Sequence, residues 1–172
     1  MTIIEEITNR HSIRQYSTKA IEPEKIARIL EAARLAPTAR NQQDWKLVLV
    51  RNPDIKGKLV DLASPHQQFL KEAHIIIAAC ALNPTYIMRC GHPAFLIDVA
   101  IVLEHIALQA VREGLGTCWI GSFDENKARM ILAVPQNTRI VELMSLGYPE
   151  HIPSTKTRKS LQELVSWDSW QE

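Results

Sequence analysis

The chain has 172 residues, 46% of them hydrophobic and 23% charged, with a formal net charge of +1. Such proportions belong to an ordinary soluble globular protein, so a single domain over residues 1–172 with one sizeable core is expected. Near-neutral charge argues against nucleic acid as a partner, and three scattered cysteines (Cys80, Cys90, Cys118) without a CxxC pair argue against a disulfide framework or a zinc ribbon.

The first twelve residues, MTIIEEITNRHS, are acidic where a signal peptide would be positive. The longest apolar stretches are broken by Asp98, Glu104 and His105, so a cytoplasmic chain with reduced thiols and no membrane span is expected. Thr2-x-x-Glu5 reads as a capping box opening a short helix. A second helix starts at Pro23, carries Ile26, Ile29, Leu30, Ala33 and Ala36 at helical spacing, and ends at Pro37. The polar loop TARNQQD leads into a strand, WKLVLV, and Pro53 opens another short helix, PDIKGKLVDLA. HIIIAAC (74–80) is apolar on both faces and reads as an interior strand.

The stretch from Pro93 to Glu113 is the longest helical candidate, roughly 30 Å if continuous. Its apolar residues run nearly all the way round, which predicts a central core helix or one shared with a second subunit. Gly114 and Gly116 stop it. TCWIG is the next strand, Asp124 caps a short helix ending near Val134, and RIVELMSLGYP is the last strand. Ser160-x-x-Glu163 is a second capping box, before the tail VSWDSWQE. Strands and helices are mixed without regular alternation, predicting an α+β fold.

Four stretches have chemistry to offer. RHSIR (10–14) gathers Arg10, His11, Ser12 and Arg14; guanidinium forks and a hydroxyl suit phosphate oxygens, with a solvated loop as the plain alternative. KTRK (156–159) is a second cationic loop, and two such clusters can converge on one phosphate. In APTARNQQDW (36–45), Thr38, Asn41 and Gln43 can read the edge of a flat heterocycle, or form an ordinary polar loop. GLGTCWIGSF (114–123) is an apolar strand between glycines, able to bring backbone N–H groups to a planar ring, or simply a buried strand and turn. Cys118 there reads as a small core residue, and His105 as a hydrogen-bonded one. No Walker loop, GxGxxG, HExxH, GxSxG or metal-ligand spacing is present.

In this order the four stretches resemble the FMN-dependent nitroreductase family. RHSIRQY resembles its R-[RH]-S-x-[RK]-x-[FY] signature, APTARNQQDW its A-P-[ST]-x-x-N-x-Q-P-W loop, and GLGTCWIGSF its G-L-G-T-x-W-x-G-x-F turn. LGYPEHIPSTKTRKSLQELV resembles the family's closing segment, so the likeness runs from about Ile4 to Val165. The resemblance implies a mixed sheet flanked by helices, in an intertwined homodimer holding two FMN molecules at its interface. RHSIR, His11 included, would form one wall of the phosphate and ribityl site, completed by Lys156 and Arg158. Arg14 would lie by the pyrimidine edge, where a cation favours reduced flavin.

Cys118, Trp119, Ile120 and Gly121 would back one ring face, with the Ile120 or Gly121 N–H aimed at N5 or O4. Pro37, Thr38, Ala39, Asn41 and Gln43 would come from the other subunit, and a further polar contact falls on Gln67 or Gln68. The implied activity is ping-pong hydride transfer from NAD(P)H to a small-molecule acceptor such as a nitroaromatic or quinone. Dehalogenation, flavin destruction or ene reduction on the same fold, or a non-catalytic flavin store or sensor, are the alternatives. Two departures stand out: Asp44 replaces the family's frequent proline, which implies a looser loop, and the segment from Cys80 to Pro93 is short, which implies an open pocket.

Overall fold

The computed structural model describes residues 3–171; Thr2 of the expected capping box lies outside them. Its centre is a sheet whose four strands among the described residues are β1 (Trp45–Val50), β2 (Ile75–Ala81), β3 (Gly116–Ile120) and β4 (Arg139–Gly147), all antiparallel in the order β1-β2-β4-β3. The inner strand β2 has no charged or hydroxyl side chain, and β4 beside it is buried from Leu143 to Gly147. Every residue of β2 is buried, which only a strand covered on both faces can be. A register shift between Ala79 and Cys80, opposite Ile140–Glu142, bends the β2–β4 pair.

Side chains alternate between two apolar layers. On one face Ile75, Ile77, Ala79, Met144 and Leu146 pack with helices α1 (Pro23–Arg34) and α2 (Ala94–Arg112). On the other, Ile76, Ala78, Leu143, Cys118 and Ile120 pack under a helix, α3 (Pro53–Lys58), its π-helical continuation Leu59–Ala63, and α4 (Glu125–Ile131). Burying one isoleucine or leucine in such layers contributes about 1.5–3 kcal/mol. Short helices Glu5–Asn9 and Leu161–Leu164 lie near the chain ends, and the second carries the full Ser160–Glu163 capping box.

The helix expected over 93–113 is α2, with Pro93 and Glu113 as its caps. By length and composition it could cross a membrane, yet here it is the core helix, packed on α1 and on the sheet. His105 accepts its expected structural role, its Nδ1 lying 3.1 Å from the Ala32 carbonyl of α1. Leu96 and Ile97, each 47% exposed, mark the flank that this chain leaves uncovered.

Candidate functional site

RHSIR follows the short first helix as an extended segment laid along the free edge of β3. Ser12 bridges Thr117 in parallel, and the Ile13 N–H donates to the Thr117 carbonyl at 2.9 Å. Ile13 turns inward and is buried; Ser12 and Arg14 face the other way. The approach is close enough to require glycine: a Cβ on Gly116 would overlap the Ile13 side chain, and one on Gly147 would stand 2.7 Å from the Tyr16 ring. Tyr16 fastens the segment from beneath, donating to the Ile13 carbonyl at 2.9 Å and meeting the buried Ser145 hydroxyl at 2.6 Å.

The second cationic loop is drawn to the same place. Lys156 Nζ donates to the Ile7 and Thr8 carbonyls at 2.7 and 3.2 Å, capping groups that the end of the first helix leaves unpaired. Arg10, His11, Ser12, Arg14, Lys156 and Arg158 thereby line one open cavity of about 210 Å³, together with Pro153, Thr155 and Thr157. The cations repel one another. Partial desolvation first, then Lys156, Arg10 and Arg158, hold the His11 pKa below its usual value; desolvation, Arg10 and Arg158 do the same to Lys156. An anion in the cavity relieves that repulsion.

β3 presents its residues to two sides. Its side chains alternate: Cys118 and Ile120 are buried beneath α4 and the π turn, while Trp119 is half-buried on the α2 face and Gly121 is exposed at the end. Four consecutive strand residues cannot all turn side chains to one ring, so β3 offers its backbone edge and the bare Gly121. The Cys118 thiol is pushed up chiefly by burial and is no nucleophile.

Pro37, Thr38, Ala39, Asn41 and Gln43 are not brought to this cavity within the chain. Their loop precedes β1, at the opposite edge of the sheet from β3, roughly 14 Å away by strand spacing alone. It is nonetheless ordered and strained. Arg40, Asn41 and Gln43 all have left-handed φ, of 55°, 53° and 55°, each costing on the order of 1 kcal/mol or more. The Ala39 N–H donates to Asp98 Oδ1 at 2.9 Å, the Gln43 N–H to Thr38 Oγ1 at 3.0 Å, and Arg40 stacks 4.4 Å above Tyr86. In place of a proline, Asp44 ties the loop through its carbonyl to the Leu82 N–H at 3.0 Å. Of the two glutamines, Gln68 is engaged by Asp61 and Pro65.

Two residues of consequence escape a reading of the sequence. Asp98 holds the Ala39 amide from an apolar helix whose other acid is Glu104, and Glu142, the one acid of β4, sets its carboxylate beside Gly121.

Fold and site together define an α+β domain with a cation-lined cleft alongside a strand edge. Known proteins agree. The model of the Nitroreductase family matches residues 7–71 and 61–148. A protein of Archaeoglobus fulgidus, provisionally named an NADH dehydrogenase/NAD(P)H nitroreductase, is 34% identical over 148 residues, covering 84% of this chain and 83% of its own. A nitroreductase family protein from Clostridium difficile 630 superposes with a TM-score of 0.86 at 29% identity, over 99% of this chain and 100% of that one. An FMN-dependent nitroreductase from Clostridium difficile R20291 gives 0.80 at 26% identity, over 98% and 100%. The chain belongs to the nitroreductase family.

Proposed function

We propose that the protein is an FMN-dependent oxidoreductase that passes hydride from NAD(P)H to nitroaromatic, quinone or related acceptors by ping-pong exchange, as a cytoplasmic homodimer. One observation carries the FMN reading: Arg10, Ser12, Lys156 and Arg158, separated by some 150 residues of chain, converge on one cavity beside the β3 edge. The donor set fits a phosphate, because guanidinium, ammonium and hydroxyl groups are all donors and none of the cations is ion-paired among the described residues. The relatives' names, with FMN in one and NAD(P)H in another, support the same reading.

FMN, when bound, supplies the hydride chemistry, so no catalytic pair of side chains is required. The chain's own residues do the holding. Arg10, Lys156 and Arg158 would neutralise the phosphate, Ser12 would donate a hydrogen bond to it, and His11 lines the same cavity. Arg14, exposed next to Ser12, would present positive charge to the ring, and the Ile120–Gly121 backbone would meet its edge. The loop 37–43 would be supplied by a second copy, since its own sheet places it at the far edge. Gln67, whose side chain makes no hydrogen bond among the described residues, is better placed than Gln68 for the additional polar contact.

The test is the visible absorption spectrum of the protein titrated with FMN and then, without oxygen, with NADH or NADPH. Flavin bands that bind and bleach rapidly are expected and name the donor. Bands that bind but bleach slowly with either nicotinamide would move the reading to a flavin store or sensor, and no binding would overturn the FMN site.

A further inference from the structure

Glu142 is the one acid in the apolar strand RIVELMSLG. By alternation it faces the same side as Met144 and Leu146, toward α2, and it opposes Ala79 across the sheet. Its two carboxylate oxygens lie 3.5 and 3.6 Å from where a Cβ on Gly121 would stand, so the carboxylate rests on the bare face of that glycine. It is half-buried, and among the described residues it makes no ion pair and no side-chain hydrogen bond to another side chain. A part-buried carboxylate left without a cation is costly unless something it faces makes use of it. Cys118, on the strand between, registers charge from both flanks: Arg14 and Arg10 lower its pKa while Glu142 raises it. Glu142 and Arg14 therefore flank β3 with opposite signs, Arg14 on the segment along its free edge and Glu142 on β4.

We propose that Glu142 is a tuning residue of the flavin site: its carboxylate, set against Gly121 at the open end of β3, counters Arg14 and makes reduction of the bound ring less favourable. The inference rests on the FMN reading above. Reduction adds negative charge to the ring, which an ionised carboxylate at its edge opposes and a neutral one does not. Burial raises the Glu142 pKa, partly offset by the Ile120 backbone amide, so the opposition is present at high pH and fades as pH falls through that raised value.

His11, whose pKa is held low by desolvation and by Lys156, Arg10 and Arg158, is common to wild type and variant, so the difference between their curves belongs to Glu142. Cys118 and Cys80 are held protonated by burial. On α2, Asp98 is bonded to Ala39, Glu104 acts on Lys156, and His105 is bonded to Ala32. On α4, Glu125 is paired with Arg129 and Arg139.

The experiment measures the FMN midpoint potential of the wild type and of Glu142→Gln, both saturated with FMN, from pH 4.5 to 9, with the oxidised-FMN Kd measured in parallel. The variant is expected to lie above the wild type at high pH, by an amount equivalent to about a tenfold change in the ratio of reduced to oxidised FMN affinity. The two should converge toward pH 4.5, the ordinary glutamate value. Curves that coincide throughout, or that stay offset by a constant amount, would overturn the proposal. Should Glu142→Gln fail to fold, Glu142→Ala takes its place in the same comparison, and curves that coincide with the wild type throughout overturn the proposal equally. Failure of the wild type to bind FMN overturns both this inference and the FMN reading, whereas bound FMN indifferent to Glu142 overturns this one alone.

Discussion

Arg10, His11, Lys156 and Arg158 are held around one cavity by contacts that do not depend on a ligand. Lys156 is anchored on two helix-end carbonyls, and Arg158 donates to the Thr157 carbonyl at 2.6 Å. Removing one such cation from a phosphate removes a charge-assisted bond of roughly 1.5–3 kcal/mol. Arg158→Ala is therefore expected to weaken FMN by about ten- to a hundredfold while leaving riboflavin, which has no phosphate, nearly unaffected. Parallel fluorescence titrations of the two ligands check this; equal losses for both would take Arg158 away from the phosphate. At this scale the sequence was readable where charges cluster, because cations gathered in a nearly neutral chain are conspicuous. A lone Glu142 is not, since an acid inside a strand ordinarily marks a solvent-facing position.

Each strand and long helix is legible in the chain because its apolar pattern has one period and its ends carry breakers: Pro23, Pro53, Gly114 and the Asp124 cap, which accepts the Lys127 N–H. Strand order is not legible. Hydropathy says that HIIIAAC and the end of RIVELMSLG are interior, but not that the last strand slips between the second and third. Nor do Arg40, Asn41 and Gln43 advertise left-handed φ, which their tertiary ties impose. The contact of β3 with the RHSIR segment makes a sharp prediction. The methyl of Gly116→Ala would land on Ile13, lifting residues 10–14 from the strand. A loss of about 1–3 kcal/mol in denaturant unfolding is expected, together with weaker FMN binding. Unchanged flavin affinity in a folded variant would show that this contact does not position the cations.

The whole molecule is unfinished at two surfaces. Leu96 and Ile97 stand exposed on a core helix, and Trp167 and Trp170 are 77% and 89% exposed on a tail that packs on none of its own chain's core. Covering an indole is worth up to about 4–6 kcal/mol, enough for the tail to bind a neighbour. The central helix, with its uncovered flank, was legible from a composition that left it no polar face; which surface receives the tail was not, because a tail makes no pattern of its own. Deleting the residues after Val165 is expected to shift the proposed dimer toward monomer and to weaken the proposed flavin binding. Unchanged sedimentation and flavin content would show the tail to be idle. The placement of the cation cluster and the loop 37–43 at opposite edges of the sheet has a genetic consequence in the proposed dimer. Two defective alleles, one spoiled in RHSIR and the other in that loop, complement each other: every mixed pair carries one pocket broken twice and one wholly intact.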